Sequence, residues 1–586
     1  MNFLRYENLK RLAAILLLAM PLAAYPLVFA GSLAGRQFSL VRAVTPEIIG
    51  IFSLGVVCAF PERVLAFFRQ KGFWGKIVVL SGILLLTVSA VRVFSSDAAV
   101  KWTMALFYTA LPLACIAVGE ELKKFLSTAM ILFGILAVFY GVISPHGEGL
   151  LLNWNWNSTV IALGIGAALC RFLKGAKSRK LLIAALAFGA FFALAYFWRG
   201  DYFSRGSWFA LVAATASVAL WTHFPVRRRG IFTFCAVALL TALFFFLPQN
   251  FPEKYDCRVQ LWRGTHDLIA RNVWCGVGAG NFEDRIQEKL PQEYYFSPLP
   301  APRHTHPHNE MLFFLAVFGI AGGVFFASLF AAAAQTSSGM PAAKWLLWSC
   351  LVLFFHAQVD VLLAETLPGV LFYATLGALI EVPASPYEKG RLPRMVFLGG
   401  ATVLAFFLAG RTLLGTISYR EAAARYREHL SCGKSLRRAL RFYPEPRTLY
   451  LAGMEKARRG EWQKAEAYFE EIHRRFHLGG YFHSNHMAGC AAMAAGRYRE
   501  AAEFFAREEL RYPVSIVNAV AMAALARKMD LPPELQRQAQ QKVDELLRLR
   551  GKTPDDLADF IRSPALDDTL RCVKTGIPAP EPPSKP

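Results

Sequence analysis

Residues 310–335 read EMLFFLAVFGIAGGVFFASLFAAAAQ, a run in which Glu310, at the very start, is the one charged residue. The hydrocarbon core of a bilayer is crossed by about 20 such residues in a helix, so the stretch reads as a membrane span. Residues 1–420 repeat the pattern about thirteen times, with centres within 11–30, 46–60, 75–93, 101–119, 124–144, 156–173, 181–198, 206–224, 230–248, 310–335, 343–359, 366–382 and 394–418. Composition agrees: 55% hydrophobic residues, 48 Phe and a mean hydropathy of +0.34 are too apolar for a soluble chain of 586 residues. The expected fold is therefore all-α, a polytopic membrane bundle of about 12–13 transmembrane helices with a C-terminal helical-repeat domain. The first segment, RLAAILLLAMPLAAYPLVFA, is long for a signal peptide and has no convincing A-x-A-like cleavage site, so it reads as a retained helix.

Lys and Arg in short loops mark the cytoplasmic side. NFLRYENLKR, PERVLAFFRQKGFWGK, GEELKK, RFLKGAKSRK, PVRRRG and SPYEKGRLPR all fall on one side, which makes the N-terminus cytoplasmic. The other side receives GSLAGRQFSLVRAV, SPHGEGLLLNWNWN, RGDYFSRG and a large loop at about 249–309. With an odd number of spans, the region beyond 420 also lies outside. Much of the net charge of +22 is then a topological signal and gives no reason to expect nucleic acid as a partner.

Beyond 420 the chain becomes charged and repeats itself. GEWQKAEAYFEEI begins at Gly460 and GRYREAAEFFARE at Gly496, so that Trp462 matches Tyr498, Ala465 matches Ala501 and Phe469 matches Phe505. This pattern resembles tetratricopeptide repeats, in which the glycine ends a turn, the alanine lets helices approach and the aromatics fill the groove between them. Residues 421–530 are assigned to that domain, and 531–586 to a helical extension with a disordered tail, PAPEPPSKP. Ten cysteines show no C-x-x-C pair. In an oxidising compartment, Cys257 with Cys275, or two of Cys432, Cys490 and Cys572, could form a disulfide.

Basic residues on the outer side run against the topological trend. Arg199 and Arg205 stand at the outer ends of two helices in YFWRGDYFSRGSWF, and the large loop adds Arg258 and Arg263. Singly, each could snorkel to lipid phosphate. As a group, guanidinium forks at the outer interface suit an anionic lipid-borne group such as a diphosphate.

SRGSW opening a helix, RVQLWRGTHDLIARNVWCGVGAGNF in the loop, and HPHNEMLFFLAVFGIAGG entering the next helix occur in that order over roughly residues 200–325. Together they resemble the O-antigen ligase and polymerase superfamily of bacterial envelope glycosyltransferases. NWNWN at 153–157 loosely echoes an asparagine that the family carries before an earlier helix. The resemblance implies a bacterial inner-membrane enzyme that moves a glycan from undecaprenyl diphosphate to an acceptor hydroxyl on the periplasmic face, with inversion and without a metal or other cofactor. It implies His308 as general base or acceptor-positioning residue. Arg205, and Arg258 with Trp262, would hold the lipid diphosphate. Asn309, Arg199 and Arg263 join the substrate-binding set. The chemistry suits the residue types: imidazole can take a hydroxyl proton, and arginine stays charged where a diphosphate leaves.

Other readings stand beside this one. His304, His306, His308 and Glu310 could ligate a metal if the segment is extended, which Pro307 favours at His306, yet no distant partner is identifiable and H-x-H-x-H lacks the H-x-x-x-H spacing of many zinc enzymes. His304 and His306 otherwise support His308 or face solvent. His266 has no supporting pattern, and His356 reads as a polar partner for Asp360, four residues on. Gly276, Gly278 and Gly280 could cradle phosphate or simply form a turn. A lipid-linked glycan transporter would use the same outward arginines, but it usually shows internal repeats and broken helices in the membrane. A scaffold displaying its repeats would use neither the arginines nor His308. Lipid A core, a second lipid-linked glycan and a protein hydroxyl all remain open as acceptor, with the repeat domain available for a protein partner.

Overall fold

The structure, a computed structural model, describes residues 6–33, 39–70, 72–91, 96–143, 153–173, 204–221, 223–246, 257–287, 289–290, 304, 306–336, 341–382, 391–442, 444–475, 481 and 483–549. Among these, every regular element is a helix. They are α1 (Tyr6–Leu33), α2 (Ser39–Ala59), α3 (Pro61–Gln70), α4 (Gly72–Val91), α5 (Ser96–Ala117), α6 (Gly119–Ile143), α7 (Trp154–Leu173), α8 (Arg205–Trp221), α9 (Val226–Phe246), α10 (Cys257–Arg271), α11 (Phe282–Gln287), α12 (Glu310–Thr336), α13 (Pro341–His356), α14 (Thr366–Leu379), α15 (Arg391–Arg427), α16 (Gly433–Phe442), α17 (Pro446–Arg458), α18 (Trp462–Arg475), α19 (Ser484–Ala494), α20 (Tyr498–Arg511), α21 (Ile516–Lys528) and α22 (Pro533–Leu549). Each apolar segment read from the sequence coincides with one of them, except 181–198, which lies outside the described residues.

Among the described residues, three helices are long and apolar enough to cross a membrane: α4 over Phe73–Val91, α6 over Gly119–Gly141 and α12 over Glu310–Gln335. Ile48–Ala59 of α2 and Pro61–Arg69 of α3 make a fourth crossing if taken together, bent by 78°. Pro61, which has no N–H to donate, opens the second limb where a proline is best tolerated. α5, α13, α14 and α15 carry shorter apolar runs among the described residues. All residues of α14 are buried, so it is surrounded by protein rather than lipid. In contrast, Leu80, Ile83 and Leu84 of α4 and Leu132 and Phe139 of α6 are more than half exposed. Apolar surface on that scale suits lipid rather than water. The molecule is an all-α membrane bundle.

The loops sort themselves to two ends. Tyr6 donates to Glu62 at 3.0 Å, and Arg394 pairs with the same carboxylate at 3.2 Å. Arg11 meets Glu121 at 3.3 Å, and Lys123 meets Glu381 at 3.2 Å. Four of the segments grouped by their basic residues thus gather at one end, with the starts of α7, α8, α10 and α12 at the other.

Two glycines break α12 and brace it. Gly319 has φ 63° and ψ −157°, which interrupts the helix about a third of the way along its apolar run. The loop after α10 fills the gap with main chain: Val277 N–H donates to Ala316 O at 2.8 Å, Gly278 N–H to Val317 O at 2.8 Å, and Ile320 N–H to Val273 O at 2.8 Å. Irregular backbone at membrane depth must find its partners in protein, and this loop provides them. Gly276, at φ 59°, lies so close to Val317 that a Cβ would come within 2.3 Å of its carbonyl carbon. The glycine-rich stretch is therefore a turn docked on α12, with the Val277 and Gly278 amides committed there instead of to a phosphate.

α15 runs without interruption through residue 420, so a rigid helix joins bundle and repeat domain where a linker could have been drawn. Beyond it, α17 and α18, then α19 and α20, form successive hairpins with one packing rule. A Cβ on Gly453 would meet the Phe469 ring at 2.5 Å, and one on Gly489 would meet the Phe505 ring at 2.6 Å. Ala465 and Ala501 are fully buried, while Gly460 and Gly496 take φ of 74° and 79° in the two turns. Cys275, Cys432 and Cys490 are free thiols; Cys432 and Cys490 are buried in separate clusters and do not bridge.

Candidate active site

Five chain segments meet at the end of the bundle where α12 begins. The turn between α13 and α14, residues 357–365, is fastened to the start of α12 because Glu310 N–H donates to Ala357 O at 2.9 Å and Asn309 Nδ2 donates to Gln358 O at 2.9 Å. Asn309 also accepts from Leu312 N–H at 2.9 Å, the geometry of an N-cap. Both ends of this buried amide are engaged inside the chain.

Asp360, in that turn, is the hub. Its Oδ1 accepts from Val361 N–H at 2.7 Å and lies 3.4 Å from His308 Nδ1, while its Oδ2 accepts from Asn155 Nδ2 at 3.0 Å. The expected couple with His356 is loose, at 4.0 Å, because α13 ends at His356 and the carboxylate turns away. Burial alone would raise the Asp360 carboxyl. The hydrogen bond from His308, the charges of His356 and His308, and the Val361 N–H outweigh burial and hold it well below the usual carboxylate range.

His308 is held in a left-handed conformation, φ 56°, which is uncommon for a residue with a Cβ and ends the extended run that a three-histidine ligand set requires. Its N–H donates to His306 Nδ1 at 3.0 Å. With that nitrogen accepting, the His306 proton sits on Nε2, which faces Glu310 Oε2 at 3.0 Å. The His306 ring stacks on Phe313 at 4.5 Å, so its orientation is fixed from three directions. His306 and Glu310 are buried, whereas the His308 side chain is 30% exposed. His304 is largely buried, which pushes its imidazole down to about 4; the nearby His308 charge acts in the same direction, against Glu283. Among the described residues, no three His, Cys, Asp or Glu side chains converge as metal ligands would.

NWNWN and SRGSW form the adjoining wall. Asn153 Oδ1 caps α7 by accepting from Asn155 N–H at 2.9 Å, leaving the Asn155 side chain to reach Asp360. Ser204 caps α8 through Ser207 N–H at 3.3 Å; Ser207 Oγ then donates to Asn155 O at 3.1 Å and lies 3.1 Å from Thr159 Oγ1. Thr159 Oγ1 is 2.5 Å from His356 Nδ1. Gly206 packs under His356, where an added Cβ would lie 3.0 Å from the ring. Arg205 is the exposed first residue of α8, at the rim of this cluster.

α10 lies across the top. Arg258 Nη1 donates to Val359 O at 3.0 Å, one residue before Asp360, and Trp262 Nε1 donates to Pro307 O at 2.7 Å, one residue before His308. Their i, i+4 spacing puts both on one face of the helix. Arg263 is rotated to another face, and Arg199 lies outside the described residues. The site thus unites His308, Asn309, Arg258 and Trp262 with Arg205 at its edge. It adds Asp360, Asn155, His306 and Glu310, whose hints in the sequence were the asparagine-rich stretch, the spacing of His356 and Asp360, and the position of His306 beside His308.

No curated protein and no solved structure matches the chain. One family does: residues 175–327 match the model described as O-antigen ligase, a segment that includes Arg205, Arg258, Trp262, His308 and Asn309. Over that segment the chain is similar to O-antigen ligases, which supports the resemblance read from its motifs.

Proposed function

We propose that the chain is a metal-independent glycosyltransferase that moves a glycan from undecaprenyl diphosphate to an acceptor hydroxyl at the periplasmic face of a bacterial inner membrane. The observation that carries this reading is the partly exposed His308 imidazole held against buried Asp360 beneath the Arg258 helix. With Nδ1–H directed to Asp360, Nε2 carries the lone pair and takes the acceptor's hydroxyl proton as its oxygen attacks the anomeric carbon. The bond from that carbon to the diphosphate breaks, its electron pair leaves with the lipid diphosphate, and the anomeric configuration inverts. Arg258 and Arg205 supply fixed positive charge to the leaving group, and Asp360 steadies the imidazolium. His306 and Glu310 position His308 through its backbone N–H, and Asn309 positions the segment through its cap on α12. Arg199 and Arg263 are assigned to the outer binding surface for the donor. The energy of transfer resides in the sugar-diphosphate bond, so no nucleotide is required.

The N-terminus is assigned to the cytoplasm and the repeat domain, resembling tetratricopeptide repeats, to the periplasm. Lipid A core, another lipid-linked glycan or a protein hydroxyl could serve as acceptor, and the repeat domain favours one presented by a protein. Purified chain with undecaprenyl-diphosphate oligosaccharide, each acceptor class and EDTA tests the reading. Acceptor-dependent release of lipid diphosphate that survives EDTA and collapses in Arg258→Ala and Asp360→Asn supports it. Release that needs a metal, or is unchanged in both variants, contradicts it.

A further inference from the structure

α16 spells GKSLRRALRF and places Lys434, Arg437, Arg438 and Arg441 at i, i+3, i+4 and i+7, one face of the helix. All four are exposed, and among the described residues none is ion-paired. The sequence between His429 and Pro444 contains no carboxylate. The opposite face is already occupied: Leu436 is buried with Ala422 of α15 and Leu451 and Ala452 of α17.

The position of this stripe relative to lipid follows from α15. Val396, Val403, Phe407, Leu414 and Ile417 are all at least half exposed on a single helix. The apolar run of this helix is Pro393–Leu408, which at about 1.5 Å per residue is roughly 24 Å, and exposed Arg411 follows it within one turn. α16 then folds back antiparallel, for Arg411 Nε donates to Phe442 O at 2.9 Å. The C-terminal turn of α16 is thereby tied to a residue within one turn of Leu408, where the apolar run ends. The stripe rises from the membrane boundary above an apolar shelf, where phosphate headgroups lie.

We infer that α16 is a binding site for the anionic headgroups of phospholipids in the leaflet at which α15 emerges, pinning the repeat domain to the membrane surface. Basic side chains near a membrane surface attract anionic lipid additively, so four in one row make a substantial site. The inference is independent of the glycosyl transfer and of which side α15 exits.

The test titrates the full-length chain, in neutral detergent, with short-chain phosphatidylglycerol or phosphatidylcholine and follows its unfolding temperature. Phosphatidylglycerol is expected to raise it and phosphatidylcholine to leave it unchanged. The combined variant Lys434→Gln, Arg437→Gln, Arg438→Gln, Arg441→Gln should need at least about tenfold more phosphatidylglycerol for the same rise. Arg258→Ala should respond as wild type does, and Arg437→Lys, Arg438→Lys, Arg441→Lys should keep the response. A Gln variant with the wild-type response, an equal response to both lipids, or a response to a lipid-linked phosphoglycan but not to phosphatidylglycerol would each overturn the inference.

Discussion

His308 owes its position to contacts on three sides: Asp360 at one ring nitrogen, His306 at the backbone N–H, and Pro307, whose carbonyl is taken by Trp262. His308→Ala should lower the rate of transfer by about 10²–10⁴-fold, the range for a lost general base, in a lipid-diphosphate release assay. Glu310→Gln should lower the rate less and leave donor affinity intact, since it acts through His306. A matched loss of donor binding would show that Glu310 serves the substrate instead. Asp360 also carries a pH signature. Its folded carboxyl titrates below the unfolded one, so its contribution to stability is present above the unfolded value and fades as pH falls through the folded value. Asp360→Asn should therefore melt below wild type at neutral pH, and the gap between their melting temperatures should narrow only in strong acid.

At the scale of elements, backbone docking joins the large loop to the membrane. A Cβ on Gly319 would lie 2.5 Å from Trp274 O, and the residue needs a positive φ. Gly319→Ala should therefore destabilise the fold by about 1–3 kcal/mol, read as a lower melting temperature in detergent, whereas Gly399→Ala, which meets nothing within 4 Å, should not. Hydropathy made the helices legible, and motif order made His308, Arg258 and Trp262 legible. Asp360 was visible only as a neighbour of His356, because helical spacing assumes that the helix continues and α13 stops at His356. The glycine turn had two readings in the sequence, and only the amide partners on α12 separate them. The break at Gly319 left no mark on hydropathy, since its partners come from a loop about forty residues earlier.

For the whole molecule, the two ends carry different work: ion pairs at one, the His308 cluster at the other, and an uninterrupted α15 linking the bundle to the repeats. The repeat domain holds its own titrating core. Burial pushes His486 down to about 4, with Glu508 and Asn518 opposing and His483 assisting. The folded state favours the neutral ring, so stability is full above the unfolded imidazole range and is lost as pH falls from there through about 4. Amide protection factors in α19, α20 and α21 of the full-length chain, corrected for the intrinsic slowing of exchange in acid, should fall over that interval, beyond any change in α12, and protection that stays flat would refute the assignment. The central claim concerns His308, and one comparison addresses it most directly: acceptor-dependent release of lipid diphosphate by purified wild type and His308→Ala, each folded to the same melting temperature. Loss of release in the variant with donor binding retained is the predicted result. Equal release by both proteins would contradict His308 as the base.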